Sequence, residues 1–204
     1  MYLLTVFCAL SILHCYTIYM KLYVIALFVH IASVLIGGGG AVASDWLFFA
    51  SLKNKVIDRS ELGLLKSMSV LVWIGIVFTT ISGLVLIWLK PELLSVFAFR
   101  FKLVLFFIIV VNGLFFARYH MKHLQRLQGK NFLNKMRTIE LRLLVMSGVI
   151  SFVSWMSVLF ISTTKLQGLS EVIAVAGYCG LLAAGYILAT ILLRVIWKGS
   201  KSGG

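Results

Sequence analysis

Acidic side chains are scarce in this chain: six Asp and Glu stand against nineteen Lys and Arg among 204 residues, for a formal charge of +13. Cysteine is scarcer still. Cys8, Cys15 and Cys179 lie in apolar segments without CxxC spacing, which excludes a disulfide framework and predicts buried free thiols. The lone proline, Pro91, directly follows Lys90 and predicts the end of a helix there. Internal repeats, HExxH and any Ser-His-Asp arrangement are lacking, and no catalytic residue is assigned. The run Gly37-Gly38-Gly39-Gly40 is followed by no Gly-Lys-Ser/Thr, which excludes a phosphate loop.

Apolar sequence is what the chain has in abundance, with 61% hydrophobic residues, 12% charged residues and a mean hydropathy of +1.05. A bilayer crossing takes roughly 20 apolar residues. Five stretches qualify, at 22–50, 67–89, 101–118, 143–163 and 172–195. The predicted fold is all-α, a polytopic integral membrane helix bundle of about five transmembrane helices. Residues 20–197 form one domain and 198–204 a flexible tail.

In a soluble protein so basic a composition would suggest nucleic acid, but here the positive residues sit in short loops between spans and act as orientation signals. Lys53, Lys55, Arg59, Lys66, Arg118, Lys122, Arg126, Lys130, Lys135, Arg137, Arg142, Arg194, Lys198 and Lys201 occupy alternate loops and the tail. Lys21, Lys90, Arg100, Lys102 and Lys165 occupy the opposite loops. This bias predicts a cytoplasmic (inner) membrane protein whose first span starts outside and whose C-terminus is cytoplasmic. Trp46, Trp73, Trp88 and Trp197 fit interfacial anchors. The segment from Arg118 to Arg142 mixes basic residues with Leu124, Leu127, Phe132, Leu133, Met136 and Ile139, and is expected to lie along an anionic inner leaflet. Residues 1–19 are apolar and parted from span one only by Lys21, too little chain for a hairpin. They either extend span one or form an upstream stretch before a true start at Met20.

Within span one, His30, Ser33, Gly37, Gly40, Ala41 and Ser44 recur at spacings of three and four and form a small, polar stripe suited to close helix packing. Four consecutive glycines also weaken a helix by about 1 kcal/mol each relative to alanine. A local break that lines a ligand site is the alternative.

Ionisable groups inside spans mark function or a buried contact. His30 lies roughly 12 Å below the outer interface and His120 about 27 Å along span three from Lys102. That leaves a depth mismatch of about 15 Å, so one metal or haem iron cannot take both, since metal–nitrogen bonds are only about 2 Å long. His120 and His123, flanked by Arg118, Lys122 and Arg126, are expected on a solvated basic face. Asp45, the one acidic residue within the spans, is expected to pair with Arg118, Arg137 or Arg142, or else to relay a proton or cation. Glu140 belongs to the same group. Lys102 heads span three, where it leans toward His30 or snorkels to phosphate. Asn112 is a further polar candidate within that span. Ser147, Ser151, Ser154 and Ser157 in span four, and Gly177, Gly180 and Ala184 in span five, are expected on helix-packing faces.

The order LFVHIASVLIGGGG, ISGLVLIWL, FRFKLVLFFIIVVNG resembles a group of small bacterial inner-membrane proteins that includes copper-resistance protein D-like domains. The matching positions are His30, Gly37, Ser82, Gly83 and Lys102. The layout also looks distantly like the membrane-bound, haem-containing protoporphyrinogen oxidase of bacteria. That likeness implies a haem b or metal ion on His30, although the tryptophan and basic residues that follow the histidine there are replaced here by Gly-rich sequence and Asp45-Trp46.

Three functions follow as expectations. The first is a non-enzymatic protein that binds or moves a small ligand or cation through the bundle, with His30, Gly37, Gly40, Asp45, Lys102 and Asn112 as candidates. The second is a haem-binding redox protein with His30 as axial ligand. The third is a structural subunit, homo-oligomeric or bound to a membrane partner.

Overall fold

Long apolar runs with few breakers give long helices, because inside a bilayer each backbone N–H and C=O must be satisfied within its own segment. The computed structural model describes residues 2–54, 56–130, 138–164 and 170–201, with side chains described at 14, 16–51, 56–130, 138–164 and 170–195. The helices are α1 (Tyr2–Asn54), α2 (Arg59–Leu89), α3 (Phe97–Phe115), α4 (Met121–Arg126), α5 (Thr138–Thr163) and α6 (Glu171–Lys201). Among the described residues five segments are long and apolar enough to cross a membrane: Tyr16–Ser51, Arg59–Leu89, Phe97–Arg126, Thr138–Thr163 and Glu171–Val195. The third runs from α3 through a π-helical turn, Phe116–His120, into α4. This is the all-α bundle of five spans that hydropathy predicts. Large apolar side chains point outward along every span, among them Phe28 at 72% exposure and Phe107 at 68%, a surface consistent with a lipid environment.

The spans alternate direction, so the bundle has two ends. At the Pro91 end, α2 closes at Leu89 and Pro91 opens a 3-10 turn to Ser95, since proline cannot continue the helix but starts the next turn without strain. Tyr19 Oη donates to Leu89 O at 2.7 Å and Lys90 Nζ sits 4.2 Å from the Tyr23 ring centre, so α1 caps the end of α2. Residues 2–19 continue α1 without interruption.

At the Asp58 end, Asp58 caps α2 by accepting from the Glu61 N–H at 2.7 Å, while Glu61 Oε2 accepts from the Asp58 N–H at 3.1 Å. The chain after α4 turns at Gly129, whose φ of +70° favours glycine, and its N–H bonds Ile57 O at 3.0 Å. Leu124 and Leu127 are buried there with Ile57, Leu62, Leu65, Met121, Leu141 and Leu144. Those two leucines therefore pack in protein and not along the leaflet as expected, because α4 continues span three and packs against Leu62 and Leu65 of α2 and Leu141 and Leu144 of α5. Ile139 is exposed, while Phe132, Leu133, Met136, Lys135 and Arg137 lie outside the described residues.

The glycine run is resolved by packing. The α1 helix passes through Gly37–Gly40 unbroken, so the expected alternative of a local break does not occur. A Cβ on Gly75 would fall 2.5 Å from Gly37 Cα and 2.8 Å from Ser33 O, so α1 and α2 cross backbone to backbone. A Cβ on Gly37 would meet the Trp155 ring at 2.7 Å, and one on Gly40 would meet Met68 O at 3.2 Å. Small residues permit this approach, which supplies dispersion energy where the hydrophobic effect is absent.

Three further expectations change. Gly177, Gly180 and Ala184 are exposed, and Gly185 instead is the close contact of α6, 3.0 Å from Val149 for an added Cβ. Cys179 shares the exposed face and is not a buried thiol, while the Cys8 and Cys15 side chains are outside the described set. Trp46 and Trp88 face outward as anchors should, whereas Trp73 is half-buried beside Gly113 and Ile76. The reason is that α2 begins at Arg59, not near 67, which places Trp73 well inside the span. The Trp197 side chain is not described.

Candidate functional site

Hydroxyl side chains in these helices mostly bond back to the carbonyl one turn earlier, which satisfies them without help from other elements. Ser33, Ser51, Ser82, Thr80 and Ser162 all do so. Ser44, Ser69 and Ser151 behave differently. Among the described residues they make no protein hydrogen bond, and all three line one cavity of about 50 Å³ between α1, α2, α3 and α5.

Asp45 lines the same cavity. The residue retains some exposed surface, yet its carboxylate is almost wholly enclosed, and Oδ2 is buried without a hydrogen-bond partner. Oδ1 faces Gly148, where an added Cβ would stand 3.2 Å away, so glycine on α5 leaves the carboxylate its space. Among the described residues the expected ion pair is not formed: Arg118 and Arg142 are exposed, and Arg137 lies outside them. Long guanidinium side chains reach the membrane interface at little cost, while burying both charges demands heavy desolvation.

Asn112 closes another wall of the cavity. Its Nδ2 donates to Ser147 O at 2.9 Å and its Oδ1 accepts from Ser147 Oγ at 2.9 Å, a reciprocal pair that joins α3 to α5. Trp73, Phe116 and Trp155 supply apolar surface, and Trp155 Nε1 is buried without a hydrogen-bond partner. The cavity thus combines one unpaired carboxylate oxygen, several free hydroxyls and an apolar rim. A space of about 50 Å³ admits a few water-sized species.

His30 lies elsewhere, roughly 22 Å from Asp45 along α1. Its Nδ1 is 3.1 Å from Ser82 Oγ. Because the Ser82 hydroxyl donates to Phe78 O at 2.6 Å, His30 Nδ1 is the donor in the bond to Ser82. An added Cβ on Gly83 would meet His30 Cε1 at 3.4 Å, so Ser82 and Gly83 together seat the ring. Lys102 is near enough for its charge to be felt at His30, and its Nζ lies 5.7 Å from the Phe99 ring centre. The structure thus gathers His30, Ser82, Gly83 and Lys102 at the Pro91 half, and Asp45 and Asn112 at the Asp58 half. Gly37 and Gly40 pack in between as spacers for α2 and Trp155.

His30 lines neither this cavity nor the apolar groove beside Gly38 and Gly39. Among the described residues it has no second histidine at its depth and belongs to no cluster of three metal-binding side chains. These residues do not fit a bis-histidine haem.

His120 corrects another expectation. It is 3% exposed, enclosed by Phe115, Tyr119 and Phe116 at ring separations of 5.0, 5.4 and 5.9 Å, rather than lying on a solvated face. The π turn rotates it inward, and such turns carry no pattern readable in sequence. His123 remains partly exposed, with Nε2 3.3 Å from Glu140 Oε2.

Sequence reasoning reached Asp45 and Asn112 but missed Ser69, Gly148, Phe116 and Trp155. The available signal was several hydroxyls on different spans at the depth of Asp45. No protein-family model, curated protein or solved structure matches this chain.

Proposed function

We propose that this is a multi-pass protein of a bacterial cytoplasmic membrane that binds, and moves between the two faces, a small polar ligand or cation at the Asp45 cavity. The observation that carries the reading is the unpartnered Oδ2 of Asp45 inside a cavity lined by free hydroxyls. A buried charge without a partner is costly, by several kcal/mol per ion, and within a membrane such groups face a pathway or a bound partner. The gathering of basic residues at the Asp58 end supports placing that end in the cytoplasm.

The test uses purified protein in detergent. Its unfolding temperature is measured against a panel of small cations and neutral polar solutes, beside Asp45→Asn. Stabilisation by a panel member that is lost in Asp45→Asn, with the helical spectrum unchanged, supports the reading. Stabilisation that survives in Asp45→Asn, or a complete lack of response in the parent, contradicts it.

A further inference from the structure

The donor set of the Asp45 cavity narrows what it can hold. Every polar lining side chain that can act as a ligand offers oxygen: Ser44, Asp45, Ser69, Asn112, Ser147 and Ser151. Among the described residues no histidine, cysteine or methionine lines it. Soft metals such as Cu(I) favour thiolate and thioether ligands, and zinc favours imidazole and thiolate, so an all-oxygen wall selects a hard cation.

Charge narrows the choice again. Among the described residues Asp45 is the only titratable one in the lining, and all other oxygens there are neutral. Calcium sites gather several carboxylates among six to eight oxygens, and this lining supplies one carboxylate. A divalent ion beside one carboxylate would also leave a net positive charge buried, whereas a monovalent ion gives a neutral site. An anion would meet the carboxylate itself.

We propose that the cavity binds a monovalent hard cation, Na⁺ or hydronium, with Asp45 as the counter-charge and the Ser44, Ser69 and Ser151 hydroxyls with Asn112 Oδ1 as neutral ligands. This rests on the assignment of the cavity as a ligand site. The Asn112–Ser147 pair holds the amide oxygen in place from two sides and lets it accept without moving. Gly148 keeps the space beside Oδ1 clear. A Na⁺ ion and a proton would compete for the same carboxylate, so Na⁺ binding should weaken as pH falls.

The experiment measures unfolding temperature in detergent at constant ionic strength, replacing N-methylglucamine chloride with NaCl, KCl, MgCl₂ or CaCl₂ at several pH values. Proton flux into liposomes reconstituted with the same protein is followed in parallel. A saturable rise with Na⁺ that exceeds those with the divalent ions, weakens at least tenfold in apparent affinity at lower pH and vanishes in Asp45→Asn supports Na⁺. A proton flux that needs no Na⁺ and is lost in Asp45→Asn supports hydronium. Gly148→Ala, which keeps the carboxylate but intrudes on it, should weaken either signal while the protein stays folded. Preference for Mg²⁺, Ca²⁺ or a neutral solute, lost in Asp45→Asn, overturns this inference but leaves the ligand site standing. Signals indifferent to Asp45 overturn both.

Discussion

Two ionisable residues on one helix, His30 and Asp45, have opposite surroundings. His30 has a neighbour that meets its chemistry, the Ser82 hydroxyl oxygen, and a glycine that seats its ring. Asp45 has a cavity, free hydroxyls and no partner for Oδ2. The lesson is that an ionisable group in a span signals function by what it lacks. A satisfied group holds helices together, and an unsatisfied one leaves room for something else.

The comparison depends on the two halves being held apart by the glycine crossing, and the largest effect is expected there. Gly75→Ala should destabilise the protein by about 3 kcal/mol, the upper end of the usual overpacking cost, because its Cβ meets backbone that cannot yield. Gly39→Ala has nothing within 4 Å and should gain up to about 1 kcal/mol from helix propensity. Denaturant titration in mixed micelles followed by tryptophan fluorescence measures both. Equal effects would remove the crossing from the account.

Next in size is the wall of the cavity. Asn112→Ala removes both bonds to Ser147, leaves its hydroxyl without that partner and should cost about 1–3 kcal/mol in the same titration. At the other half, His30→Ala should cost only about 1 kcal/mol, since Ser82 keeps its bond to Phe78 O. The cation response of that variant should equal the parent's. Loss of the response in His30→Ala with full response in Asp45→Asn would reverse the assignment of the two halves.

The smallest expected effect is at the Asp58 cap. The Glu61 N–H, and after it the Ser60 hydroxyl, holds the Asp58 carboxyl below its usual value. The folded value is the lower one, so the cap stabilises fully above the unfolded carboxylate range, near pH 4, and is lost as pH falls through the folded value. Acid titration of stability should therefore show a small downward step in the parent that Asp58→Asn lacks.

The five spans and the class were legible because hydropathy over twenty residues is an average that packing does not alter. His30, Ser82 and Gly83 were legible as short motifs, though their contact was not. Helix starts were less so: hydropathy placed span two at 67, while the Asp58–Glu61 capping box starts the helix eight residues earlier and moves Trp73 from interface to core. The sequence offered no sign of the π turn that buries His120. Ser69 went unnoticed because a serine in a span ordinarily bonds its own helix, and only the assembled bundle shows that this one does not.

The central claim is that Asp45 is kept for a ligand at the expense of stability. The most direct test compares the parent with Asp45→Asn in alkaline buffer free of small inorganic cations, where the carboxylate carries its charge. Without a cation to offset that buried charge, Asp45→Asn should unfold at higher denaturant than the parent, and added NaCl should close the gap by stabilising the parent alone. If Asp45→Asn is instead the less stable protein in that buffer, the carboxylate already has its partner within the fold and the account fails.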